Sequence, residues 1–473
     1  MYPKRRPHYW EALIPVLSLT LFLLLSEFVF DLEPHIPLVL GCIVAAITAV
    51  KVGFNYEEIT AGISESVYRA IEALIIIMIV GMLIGTWVLS GIIPAMVYYG
   101  LDLIGPKVFL ITGCTICAVV SLTTGSSWTS SGTVGIALMG IAAGLNINPA
   151  LSAGMVISGA YFGDKLSPFS DSTNVAAAAA ETNLYSHVSS MLYTTIPSFI
   201  IALIIYGFIG LNLSNEGYNP TRVKTIQSVL TSNFSISPLL MIPPIYVILA
   251  AIKKCPPIPS LLSGALLGGL WAILFQGVSL QKVLYAMHYG FKSNTGLDVV
   301  DKLLSRGGVD SMMWTISLIM FALAFGGIME KAKFSEVLLE GFISRVKSVG
   351  SLITVTIITA IISDFILTDQ YLSLIVPGRA YAPLYDKLNL DRRVLSRSLE
   401  DGGTLWSPLC PWNGCGIYQS ATLGVSTFSY LPYAFFNLVN PLVSIIMAYI
   451  GWGIFYVDDL EQEIYLNEDI DIF

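Results

Sequence analysis

Four aspartates sit in or beside long apolar runs: Asp164, Asp171, Asp364 and Asp369. A carboxylate is costly in such surroundings, so each is a functional candidate by default. Asp164 and Asp171 belong to Gly163-Asp-Lys-Leu-Ser-Pro-Phe-Ser-Asp-Ser-Thr-Asn174, which lies between an apolar stretch (148–162) and an alanine-rich one (175–180). Pro168 removes a backbone donor and Gly163 loosens the helix, so a broken helix is expected there. Its freed carbonyls, with Ser167, Ser170, Asp171, Ser172, Thr173 and Asn174, would offer hard oxygens. Hard oxygens suit a small dehydrated cation. A Na+ ion held by Asp171, Ser172, Thr173 and Asn174 is the candidate ion site. A buried carboxylate also holds a proton near neutral pH, so proton and cation can compete for one group. The plainer reading is a loop with acids on its rim.

A second interruption, Thr404-Leu-Trp-Ser-Pro-Leu-Cys-Pro-Trp-Asn-Gly-Cys-Gly416, adds Thr404, Ser407 and Asn413 as oxygen or amide donors. A polar island precedes each break. The first, 121–133, is rich in hydroxyls and includes Thr129; the second, 363–373, carries Asp364 and Asp369. Asp171 and Asp369 are the first choices for proton coupling, followed by Asp164. Asp364 reads equally well as half of an ion pair with Arg379, Lys165 or Arg397. Arg379 follows Pro377-Gly378 and has two readings. It grips an acid or a substrate carboxylate through its planar fork, or it snorkels to the interface. Glu400 and Asp401 are expected at the entrance of the second break. Glu330 and His187 are expected at the membrane interface. Cys114 and Cys117 lie in an apolar run without partner ligands and read as packing. No resident cofactor is expected.

The elements that position these residues follow from composition. Of 473 residues, 55% are hydrophobic and 12% charged, with a mean hydropathy of +0.74. Soluble domains carry about 25% charged residues. Apolar runs of span length recur along the chain, which defines an all-α polytopic membrane protein and excludes a nucleic-acid binder. Plain spans are expected near 11–30, 36–52, 70–93, 106–123, 188–211, 237–252, 257–277, 311–329, 348–368 and 430–456. The net charge of −8 is concentrated in the segment 458–473, which holds seven acids and no base. The lysines and arginines Lys4, Arg5, Arg6, Lys51, Arg69, Lys253, Lys254, Lys331, Lys333, Arg345 and Lys347 place the N-terminus and the loops at 52–70, 253–254 and 330–347 inside. The acidic tail then also lies in the cytoplasm, and the segment 212–236 lies outside.

The two breaks align at an offset of 240 residues, with Ser167-Pro168 facing Ser407-Pro408. The matching spans at 70–93 and 311–329 run in opposite directions. This is the pattern of inverted structural repeats with broken helices and re-entrant hairpins, a mark of secondary transporters. The expected organisation is N-terminal spans (1–69), a first repeat (70–211), a linker with two spans (212–310), a second repeat (311–457) and the acidic tail. The repeat argues against a channel, and no opposed pair of aspartate motifs supports an intramembrane protease.

The Gly-Asp-Lys-Leu-Ser-Pro run, the island Thr124-Gly-Ser-Ser-Trp-Thr-Ser-Ser-Gly-Thr133, and the stretches Asp401-Gly-Gly-Thr-Leu-Trp-Ser-Pro-Leu409 and Pro411-Trp-Asn-Gly414 resemble the NhaC family of Na+/H+ antiporters. The resemblance covers nearly the whole chain. It implies a transporter in the plasma membrane that exchanges Na+ for H+ by alternating access, embedded in the lipid bilayer and often a homodimer. The resemblance also takes in exchangers that couple Na+ and H+ to small organic anions, with malate entering against lactate.

Overall fold

The computed structural model describes residues 4–30, 32–213, 220–253, 255–343 and 348–457. The acidic segment 458–473, and Lys254, Arg345 and Lys347 of the orientation argument, lie outside these residues. Among the described residues the chain is helical, and its one β-contact is an isolated bridge between Leu390 and Tyr456.

The helices that build the site are α1 (Ile71–Leu89), α2 (Pro106–Thr124), α3 (Ser127–Ser130), α4 (Pro149–Leu166), α5 (Asp171–Ala179) and α6 (Leu184–Leu213) from the first half. From the second half come α7 (Val309–Lys331), α8 (Val349–Leu367), α9 (Gln370–Lys387), α10 (Arg392–Leu399), α11 (Gly414–Leu423) and α12 (Phe435–Ile450). Among the described residues six helices are long and apolar enough to cross a membrane: α1, α2, α6, Pro257–Gln276, α7 and α8. Two further spans become possible by counting bent pairs, Val223–Asn233 with Pro238–Ala250 (93°) and Thr427–Tyr433 with Phe435–Ile450 (56°). The sequence shows the stretches at 237–252 and 430–456 as plain spans. Proline explains the first bend, because Pro238 has no N–H to continue a helix. The protein is a multi-pass membrane protein, and α6 leaves Ile200, Ile204 and Phe208 exposed along one side.

Local chemistry sets the turns that matter. Pro106 opens α2 at a position where its missing N–H costs nothing. Gly125 ends α2 in the left-handed conformation (φ 70°), and Ser126 then caps α3 by accepting from the Thr129 N–H. Thr368 ends α8 in the same conformation (φ 58°), and Asp369 caps α9 by accepting from the Leu372 N–H. Each half therefore carries a helical hairpin with a tight polar tip.

Each half also carries a broken helix. In the first, α4 ends at Leu166 and α5 starts at Asp171, with Ser170 at its N-cap position. In the second, α10 runs into a π turn (Glu400–Thr404) and a 3-10 turn (Ser407–Leu409), and Asn413 caps α11. The helix starts Pro106 and Val349, the tips Gly125 and Thr368, and the caps Ser170 and Asn413 are each 243 residues apart. The element register is thus three residues longer than the 240 read from sequence. Ser167-Pro168 corresponds to Cys410-Pro411, while Ser407-Pro408 lies in the 3-10 turn just before the break. A repeated Ser-Pro dipeptide had suggested the shorter offset.

Candidate functional site

The two tips and two breaks converge. The Gly125 tip packs on the Phe169 backbone, and the Gly414 N–H donates to the Thr368 carbonyl at 3.2 Å. The halves are tied across by Trp128 and Tyr418, whose rings stack at 4.1 Å while the Tyr418 hydroxyl donates to the Trp128 carbonyl. Between them lies a cavity of about 460 Å³. Both tips and both breaks reach it, together with Arg69 and Glu72 at the start of α1 and Cys255.

Asp164 is the best-held acid of the cavity. It is 7% exposed. The Ser127 hydroxyl from the first tip donates to one carboxylate oxygen at 2.6 Å, and the Ser170 hydroxyl from the break donates to the other at 2.5 Å. Ser172 extends the cluster, 3.0 Å from Ser170. Hydroxyls accept as well as donate, so this set can rotate its lone pairs toward a cation.

The other expected ligands divide. Asp171 lines the cavity and is exposed; Ser172, Ser170 and Thr129 line it too. Thr173 and Asn174 are not among the lining residues. Thr173 donates to the carbonyls of Lys165 and Asp164, and Asn174 to those of Pro168 and Ser170. They satisfy the backbone that the break sets free, the need any broken helix in lipid has. Ser167 is fully buried and accepts from the Phe169 N–H at 3.3 Å.

In the second half, Asp369 and Asn413 line the cavity, but Asp364 does not. Asp364 is fully buried and accepts from the Asn413 amide at 3.2 Å. It has none of the expected ion partners Arg379, Lys165 or Arg397. Thr404 and Ser407 lie behind the wall, bonded to Gln370, which faces the cavity. Arg379 is exposed and is not a lining residue.

The cation of the lining is instead Arg69, paired with Glu330 at 2.5 Å. Glu330 is therefore ion-paired. Nearby, the Lys331 ammonium donates to Glu65 at 2.8 Å and holds that exposed carboxyl below its ordinary range.

Behind the first break lies a second charged cluster that the sequence did not resolve. Lys165 and Asp401 are both fully buried and form an ion pair between the halves. Asp401 also accepts from Thr194 at 3.2 Å and Asn440 at 2.6 Å. Arg397 is buried nearby and donates to the Gly453 carbonyl at 2.6 Å. His187 is fully buried against Ser396 at 2.7 Å, so it is a core rather than an interfacial histidine. Glu400 and Asp401 are likewise fully buried rather than at an entrance. The signal available in sequence was the adjacency of Asp164 to Lys165 and of Glu400 to Asp401.

A polar cavity at the meeting point of hairpin tips and broken helices, inside a multi-pass bundle, defines a membrane transporter. A profile of the Na+/H+ antiporter family matches residues 159–452. The chain is 38% identical to the malate-2H(+)/Na(+)-lactate antiporter of Bacillus subtilis, covering 96% of this chain and 97% of that one. It is 38% identical to the Na(+)/H(+) antiporter NhaC of Alkalihalophilus pseudofirmus (91% and 93% covered). It is 35% identical to the arginine/ornithine antiporter ArcD of Halobacterium salinarum (97% and 96% covered). The chain belongs to the Na+/H+ antiporter family, whose members are transporters rather than enzymes.

Proposed function

We propose that this protein exchanges cytoplasmic Na+ for external H+ by alternating access, with Asp164 as the carboxylate that both ions reach. The observation that supports this reading is the charge of the cavity. Four carboxylates line it, Glu72, Asp164, Asp171 and Asp369, against the single guanidinium of Arg69, which Glu330 already engages. Such a field concentrates cations and repels anions. Ser127, Ser170 and Ser172 complete the oxygen set at Asp164, while Asp171 and Asp369 add charge along the way. The two halves, related as inverted repeats, alternate in exposing the site. No resident cofactor takes part.

A second reading is exchange of a small organic anion or amino acid together with the cations. Two observations favour it. The cavity is larger than a bare ion needs, and identity to the malate/lactate antiporter equals that to NhaC. Proteoliposomes carrying a pH-sensitive dye and an imposed proton gradient separate the readings. Sodium alone should move the dye, and Asp164→Asn should abolish the response in protein that still purifies as a monodisperse peak. Arg379→Lys should leave it intact. A dye that stays silent until malate, lactate, arginine or ornithine is added would replace the first reading with the second.

A further inference from the structure

Among the described residues Glu400 is a buried acid without an ion-pair partner. It is fully buried, and among the described residues neither carboxyl oxygen has a hydrogen-bonding partner. It opens the π turn Glu400–Thr404, a helix distortion often found at functional sites. Thr404 closes the same turn and accepts from Gln370, a cavity-lining side chain, at 3.3 Å. The cavity is therefore one side chain away from this turn. An ionised carboxylate without donors in a dry site is strongly penalised, whereas the neutral acid is tolerated.

Its electrostatic neighbours are specific. Lys165, the Thr404 hydroxyl of the same turn, Asp164 and Asp401 act on it directly. Arg397 lies on the preceding helix and is itself acted on by Asp401. His187 feels Lys165, Asp401 and Arg397. The helices packed on the π turn also carry Asp171, Asp364 and Arg379.

We propose that Glu400 is a second proton-binding site of the exchange cycle, separate from the cavity carboxylate that Na+ occupies. The inference rests on the Na+/H+ reading above and extends it. Charge balance carries it. Lys165 and Arg397 are positive, and Asp401 and Asp164 negative, so the buried set is neutral when Glu400 holds a proton. A Na+ ion arriving at Asp164 adds one positive charge, and loss of the Glu400 proton restores neutrality. Net charge is what a low-dielectric interior resists. Where Asp164 is already ionised, sodium uptake and proton release are thereby coupled through Glu400, in addition to the direct exchange of the two ions at Asp164. The proton leaves Glu400 as H+ to cavity water and returns by the same route when Na+ departs.

The test is proton release from purified protein in detergent on addition of NaCl, read by a pH-sensitive dye over a range of pH. Glu400→Gln should release about one proton fewer per Na+ bound than the wild type, and bind Na+ more weakly. Equal release from both overturns the proposal. If Glu400→Gln does not bind Na+, Glu400→Asp supplies the answer. Its release curve must be displaced along the pH axis, and a curve that coincides with the wild type overturns the proposal. A wild-type protein that binds Na+ without releasing any proton would instead overturn the exchange reading itself.

Discussion

Asp164 and Lys165 are neighbours in sequence and do different work. Asp164 looks into the cavity through two serine hydroxyls, while Lys165 turns away and pairs with Asp401 in the other half. The type of each residue was visible in sequence, but its direction was not. Asp171 looked the better ligand because it heads a run of hydroxyl residues; the fold leaves it exposed and spends Thr173 and Asn174 on backbone carbonyls. The buried pair makes a prediction at this scale. Lys165→Met strands Asp401 in a dry site and should cost about 3–5 kcal/mol of stability. Asp401→Asn should cost a similar amount. The double substitution should lose clearly less than the sum, measured by thermal unfolding in detergent. Full additivity would show that the two side chains are not energetically coupled.

At the level of elements, the site depends on two hairpin tips and two breaks meeting at close range. The tips were legible as polar islands within apolar runs, and the breaks as glycine and proline interruptions. Their register was not, because short dipeptide matches carry little information beside the helix boundaries set by caps. Gly125 shows how tight the meeting is. A Cβ there would lie 2.7 Å from the Phe169 carbonyl carbon, and the backbone is at φ +70°. Gly125→Ala should therefore cost more than about 1 kcal/mol from conformation alone, and should pull Ser127 away from Asp164. We expect reduced Na+-dependent dye response and a lower melting temperature. Unchanged transport would mean that the tip contact does not position the hydroxyl.

For the whole molecule, the cavity runs from Arg69 and Cys255 to Asp164. In the orientation we propose from the positive-inside rule, Arg69 and Cys255 lie on the cytoplasmic side, and the cavity presents the site inward. Cys255 is exposed, Cys42 is half-buried and the other four cysteines are buried. A membrane-impermeant maleimide should therefore label Cys255 in inside-out vesicles and spare it in right-side-out ones. Labelling only from the outside would reverse the topology. The sequence by itself determined that this chain lives in a bilayer, that two interruptions concentrate its polar groups, and which aspartates lie in or beside apolar runs. Those conclusions rest on local composition, since hydrocarbon tolerates few charges and no unsatisfied backbone. Only the tertiary structure decided which aspartate is caged by hydroxyls, that Lys165 belongs to Asp401, and that Arg379 stays outside the cavity. The first two depend on side chains more than 30 residues apart, Ser127 with Asp164 and Lys165 with Asp401, meeting in three dimensions. The rotation of about 100° between neighbours on a helix is enough to send adjacent charges to different walls.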